Sequence, residues 1–330
     1  MKRRLLNAVS DLSGYTYRRW SRRPAGLYCF NFHRVGNDDR SAFHPNLFSC
    51  TASRFAEILA FLRSEFEMVG IERVCQIVAG GRTPTERLAL ITFDDGYLDN
   101  FEVAYGALRA ARCPAVFFLQ TDFIDGTEVP WWDRIAWCVW HHGDGEFRLP
   151  GVDYPVTVRA DDPEGSIRRV LRAVKDSPGI VPIDEIVRAI EQQCARAVPT
   201  GQGRLAMTWD QVAEMRAGGM DIGSHTRSHR ILSHLSVDEQ RFELKTSKEI
   251  LESRTGGRID ALAYPVGGFA TYTIETKRLA IECGFSVGFN FEPGINLNPA
   301  ANPFDLRRLP VQGNPTVDEL RREIAMAHGV

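Results

Sequence analysis

Short apolar runs alternate with stretches of helical periodicity along most of this chain, and the alternation predicts a βα-repeating fold. Runs at 27–32, 88–93, 115–119, 220–223, 261–264, 285–289 and 306–311 read as strands. Several are apolar at consecutive positions, as in Leu88-Ala89-Leu90-Ile91, which suits a parallel sheet covered on both faces. Helical periodicity falls near 52–65, 99–111, 209–217, 237–254, 272–283 and 316–327. Two of these carry start signals: Thr51 or Ser53 before the first, and Ser236 with Glu239 as a capping box. The expectation is an α/β fold, a distorted (β/α) barrel of about seven strands, with an open doubly wound sheet as the second choice.

One region breaks the rhythm. From about 123 to 204 the chain holds Pro130-Trp131-Trp132, a hairpin pattern at 146–158 and helical patches near 165–176 and 183–195. Its charged, glycine-containing loops predict an inserted cap over the mouth of a barrel domain spanning 25–330. Ahead of that domain, residues 1–24 carry seven basic side chains against Asp11 alone, with Leu5, Leu6, Val9 and Leu12 at helical spacing. Such a basic amphipathic segment suits either an anionic membrane surface or the flank of the barrel.

Composition narrows the function classes. The formal net charge of 330 residues is only -2, so nothing global points to nucleic acid. The seven cysteines are odd in number and form no CxxC pair, which reads as reduced, buried thiols. No apolar run is long enough for an export signal or a membrane span. The expected location is cytoplasmic, with peripheral contact at the inner membrane face as an option through residues 1–24.

Two constellations carry chemistry. Thr92-Phe93-Asp94-Asp95-Gly96 follows the strand at 88–93, which places two carboxylates where parallel α/β enzymes keep catalytic groups. Ser224-His225-Thr226-Arg227-Ser228-His229 follows the strand at 220–223 and offers two histidines four residues apart. Taken singly, the first could be a helix N-cap and the second a pair of surface histidines. Both fall on one predicted rim, and together they favour a metal centre. One carboxylate and two histidines are a ligand set typical of catalytic zinc, although the hard carboxylate admits other divalent ions. The second carboxylate would then take a proton from water.

The two motifs together resemble those of the NodB-type polysaccharide deacetylases, carbohydrate esterase family 4. The resemblance implies a distorted (β/α) barrel and hydrolysis of an acetyl group on a saccharide. By position it implies Asp94 as catalytic base and Asp95, His225 and His229 as metal ligands. Ala263-Tyr264-Pro265-Val266-Gly267-Gly268 resembles a shortened third motif, which implies that the Tyr264 N–H contacts substrate and holds the oxyanion. Two departures stand out: the arginine that orients the base is absent ahead of Tyr264-Pro265, and the C-terminal stretch 306–313 lacks the histidine that acts as general acid. Asn31-Phe32-His33-Arg34-Val35 is similar to the opening of a permuted branch that includes poly-N-acetylglucosamine deacetylases, and implies His33 as the acid. Trp132 and Asp133 are sugar-contact candidates, by stacking on a pyranose and binding its hydroxyls. His141, His142 and His234 stay outside the metal set, the first two in an expected solvated loop.

The implied activity is metal-dependent removal of the N-acetyl group from an N-acetylhexosamine in a polysaccharide, oligosaccharide or lipid-linked sugar during polysaccharide biosynthesis. Hydrolysis of a small cyclic amide or ureide at the same site is the alternative within enzymes. A non-catalytic carbohydrate-binding relative is the alternative outside them.

Overall fold

The computed structural model describes residues 14–36, 44, 47–126, 129–177, 179–199 and 204–329. Seven parallel strands make up the main sheet: β1 (Gly26–Phe32), β2 (Arg87–Phe93), β3 (Ala115–Leu119), β4 (Asp221–Ser224), β5 (Ala261–Ala263), β6 (Val287–Phe289) and β7 (Leu309–Pro310). Their spatial order is β6-β5-β4-β3-β2-β1-β7, with the two-residue strand Glu67–Met68 also paired to β2. The sheet curls into a distorted barrel, and one segment spans the gap between its edges. Leu306 bridges Phe289 at the end of β6, while Leu309 pairs with Phe30 of β1.

Both faces of these strands are buried, which explains their uninterrupted apolar runs. Alternate residues point opposite ways. Leu27, Cys29, Leu88, Leu90, Val116, Phe118, Ala261, Ala263, Val287 and Phe289 form one cluster inside the curl. Tyr28, Phe30, Phe32, Ala89, Ile91, Phe93, Phe117, Ile222 and Leu262 form another, outside it, against the surrounding helices. The helix Ile71–Ala79, which periodicity did not announce, adds Ile71, Val74 and Ile77 to the inner cluster. Expected capping appears at Thr51, which accepts from the Arg54 N–H, and in the full box of Ser236 with Glu239.

The inner rows turn polar toward the mouth. Leu88, Leu90, Thr92 and Asp94 share one face of β2 and its continuation; Leu27, Cys29, Asn31 and His33 share the matching face of β1. Asn31 donates to the Thr92 hydroxyl at 3.2 Å across that boundary.

The region 123–204 has a core of its own. The helix Trp131–His142, the hairpin of Gly145–Phe147 with Val156–Val158, and the helices Pro163–Lys175 and Ile183–Gln192 bury one another's apolar faces. His141 and His142 end the first of these helices rather than lying in a loop, with the His142 ring 4.3 Å from that of Phe147. Leu5, Leu6, Val9 and Leu12 lie outside the described residues. The end of that segment is the helix Tyr15–Ser21, whose Trp20 is buried against Phe61 at 5.5 Å beneath the Arg23 guanidinium. All seven cysteines are free thiols. No helix among the described residues is long and apolar enough to cross a membrane.

Candidate metal centre and active site

Asp95, His225 and His229 converge although 130 positions separate the first two in the chain. Their ligand atoms lie within 4.8 Å of one another, all three residues are buried, and this is the one such group among the described residues. His225 Nε2 is 3.5 Å from Asp95 Oδ1, and His229 Nε2 is 3.6 Å from the same oxygen. The His225 Nδ1–H donates to the Ala263 carbonyl at 2.8 Å, which leaves the Nε2 lone pair facing Asp95. Asp95 Oδ1 is buried without a hydrogen-bond partner. Burial, with the Asp94 and Asp133 carboxylates, pushes the Asp95 carboxyl well above its usual range. An acceptor left orphaned between two imidazole lone pairs fits a divalent cation, which would satisfy all three at once.

The backbone is strained where it presents these ligands. Asp95, Thr226 and His229 all have positive φ, at 76°, 64° and 56°. Compensating bonds hold the loop: the Arg227 and Ser228 N–H groups and the Ser228 hydroxyl all donate to the Glu243 carboxylate, itself 3% exposed. Gly96, at φ 97°, follows Asp95. The left-handed conformation favours glycine there, and a Cβ would sit 2.8 Å from Ile124 Cδ1 and oblige that side chain to shift.

Asp94 lies beside the ligand set and is 2% exposed. Arg308, 1% exposed, donates to Asp94 Oδ1 at 2.7 Å and to the Asn290 carbonyl at 2.7 Å. Burial alone would raise the Asp94 carboxyl, but Arg308, His225 and His33 together hold it below the usual carboxylate range. The arginine expected before Tyr264 thus has a counterpart beside Asp94 that comes from the 306–313 stretch. Its sequence signal was the pair Arg307 and Arg308 in an otherwise strand-like run; the partner of Arg308 was not visible there. His33 reaches the same place, with Nε2 4.0 Å from Asp94 Oδ2 and its ring edge-on to Phe291. Burial lowers the His33 imidazole to about 4, against the opposing pull of Asp94.

Three sequence assignments need correction. The Tyr264 N–H donates to the Phe289 carbonyl at 3.0 Å as part of the sheet, so it is not available to an oxyanion. The Tyr264 side chain belongs to the outer row with Leu262 and stacks on Tyr272, its hydroxyl donating to the Phe304 carbonyl. The free donor is two residues on. The Val266 N–H has no partner among the described residues, Val266 lines the site, and it holds a φ of 63° that a β-branched residue rarely adopts.

Asp133 does not face the site either. It is 1% exposed and accepts from the Tyr97 hydroxyl at 2.7 Å and the His44 N–H at 2.8 Å. Trp132 lines the site but presents no open face: its indole N–H donates to the Tyr97 oxygen at 2.7 Å and its ring lies 4.3 Å from that of His229. Trp132, Tyr97 and Asp133 therefore form a buried chain that links the cap to a candidate ligand. An aromatic open to solvent at the mouth is instead Phe269, which is 51% exposed.

Barrel mouth and cap enclose a cavity of about 1110 Å³ that contains His33, Asp94, Asp95, His225 and His229 on its wall. It exceeds the ~300–1,000 Å³ usual for small-ligand sites, so it has room for more than one sugar unit.

Known proteins were compared with this arrangement. The family model for polysaccharide deacetylases matches residues 81–160 and 184–287, leaving out the whole of the helix Pro163–Lys175. A curated relative, "Putative polysaccharide deacetylase YxkH" of Bacillus subtilis (strain 168), is 23% identical over 213 residues. That match covers 64% of this chain and only 48% of the relative. Among solved structures, the Streptococcus pyogenes deacetylase PplD in complex with acetate superposes with a TM-score of 0.61 at 19% identity, covering 91% of this chain and 99% of that one. IcaB from Ammonifex degensii gives 0.54 at 20% identity, covering 91% and 96%. At these identities the superpositions speak for the barrel fold alone.

Proposed function

This chain belongs to the polysaccharide deacetylase family, and from that premise we propose that it hydrolyses the N-acetyl group of an N-acetylhexosamine within a larger saccharide. The observation that carries the reading is the meeting of the buried Asp94–Arg308 pair with the Asp95, His225 and His229 cluster on the wall of one cavity. Asp95, His225 and His229 hold a divalent cation, with zinc the first choice for this donor set. When bound, that ion supplies Lewis-acid chemistry, polarising the acetamide carbonyl and making a nearby water more acidic.

The chain's own residues do the rest. Arg308 fixes the Asp94 carboxylate, which takes a proton from the attacking water. The Val266 N–H donates to the developing oxyanion and requires no side chain to do so. His33 is neutral before the reaction because burial disfavours its charged form, so the proton it gives the departing amine is one it first accepts. Asp94, 4.0 Å away, is the group that relays it. Phe269 offers a stacking face at the entrance.

Acetate release from N-acetylglucosamine oligomers, before and after chelation, tests the reading together with metal content. Asp94→Asn is expected to keep one ion per chain and lose roughly 10²–10⁴-fold in turnover, whereas His229→Ala loses both ion and turnover. Near-native rates in Asp94→Asn would remove the base assignment.

A further inference from the structure

Across the cavity from the ligand loop stands the cap helix Pro163–Lys175. Ile167, Val170, Leu171 and Val174 bury one side of it in the cap core. The other side carries Arg168, Arg169, Arg172 and Lys175, and all four line the cavity that holds the candidate metal ligands. Arg168, Arg172 and Lys175 repeat at i, i+4 and i+7, so they stand in one row about 10 Å long.

Counter-charges to this row are weak or missing. Arg169 meets Asp162 at 3.1 Å, Arg168 meets Glu164 at 3.7 Å and Arg172 meets Asp176 at 3.9 Å, with all six side chains 41–82% exposed. Such pairs are screened and exchange readily for another anion. Lys175 is half-buried and has no carboxylate within 4.0 Å among the described residues. The carboxylate that acts on it most is Asp95, on the barrel side of the cavity. The other acids on the wall are occupied: Asp94 by Arg308, and Glu292 by the Phe269 N–H. A neutral glycan would bring no counter-charge to Lys175 and would leave Arg172 with only its long contact to Asp176.

We propose that this row is an anion-binding subsite, and that the saccharide taken by the neighbouring acetamide-hydrolysing centre carries a phosphate or carboxylate within reach of Lys175 and Arg172. The substrate class rests on the deacetylase reading; the subsite itself can be measured without turnover.

Equilibrium binding to the full chain, stripped of metal, compares N-acetylglucosamine with its 1-phosphate. A second comparison sets neutral tetra-N-acetylchitotetraose against a tetrasaccharide alternating N-acetylglucosamine with glucuronate. At least one acidic probe is expected to bind roughly tenfold tighter than its neutral partner at low salt, with the advantage shrinking as salt rises. Preference for the phosphate alone identifies a sugar phosphate; preference for the uronate alone identifies an acidic polysaccharide. Lys175→Met combined with Arg172→Gln abolishes the advantage and Lys175→Arg retains it, while an unchanged Tm shows that these outward-facing substitutions leave the fold intact. Acidic probes that bind no tighter than neutral ones, or an advantage that survives the double variant, overturn the subsite. Absence of acetate from every probe with the metal-loaded protein would instead overturn the deacetylase reading, with the binding preference still on record.

Discussion

Asp94 and Asp95 are chain neighbours with equal burial, yet their surroundings drive their carboxyls in opposite directions. Asp94 lies against the Arg308 guanidinium and is held low; Asp95 is pushed up by burial and by the Asp94 and Asp133 carboxylates, which the more distant Lys175 and Arg308 offset only in part. One is ready to remain an anion and the other asks for a cation, which is the division of labour that the proposed hydrolysis requires. Arg308→Leu leaves burial acting on Asp94 with less opposition. The acid limb of the pH–rate profile should therefore move to higher pH, with metal content unchanged. Tyr97→Phe tests the buried chain behind His229. It strands the Trp132 indole N–H and Asp133 Oδ2, and should cost about 1–3 kcal/mol in denaturant unfolding. Metal affinity should fall by roughly 10–100-fold, read by titration of the stripped protein.

At the scale of elements, the site is made by two turns that leave parallel strands with positive φ. After β2 the turn carries Asp95 and Gly96; after β4 it carries Thr226 and His229. Strain of this kind persists only where neighbours over-determine the conformation. Gly96 meets that need by having no side chain, and Glu243 by collecting three donors from the second turn. Gly96→Ala should destabilise the protein by about 2 kcal/mol, from the left-handed conformation and the clash with Ile124 together. It should also shift Asp95 enough to weaken metal binding, and retention of both Tm and metal would refute this account of the turn. The strands themselves were legible because a doubly buried parallel strand needs apolar residues on both faces. The helix Trp131–His142 was not: eight of its twelve residues are buried, the charged Asp133 among them, because the cap covers it on several sides.

For the whole molecule, the barrel, the cap and the helix Tyr15–Ser21 share buried surfaces. Trp20 fills a niche made by Phe61, Phe66 and Arg23, and Arg19 donates to the Ala325 carbonyl near the other end of the chain. Trp20→Ala should therefore cost about 3–5 kcal/mol, measured by unfolding, with little effect on turnover at temperatures where the protein stays folded. A segment that only touched a membrane would tolerate the change. The cap contributes in two ways: Trp132 closes on His229 from one side, and the cationic helix faces the cavity from another.

The chain's own pattern was enough to determine the βα order and the seven strands, and it singled out the stretch 123–204 and the two motifs whose acids and histidines converge. Each is a local signal: the period of apolar residues, a capping residue, or acids and histidines just past a strand. Tertiary structure decided what is paired at a distance. Arg308 reaches Asp94 because the segment that closes the barrel lies beside β1. The continuation of β5 ties the Tyr264 N–H to the Phe289 carbonyl and leaves the Val266 N–H without a partner among the described residues. Asp133 is drawn into a buried chain because a helix folds over Tyr97. These depend on which faces and edges meet once the sheet curls, and hydrophobic periodicity does not distinguish one buried partner from another.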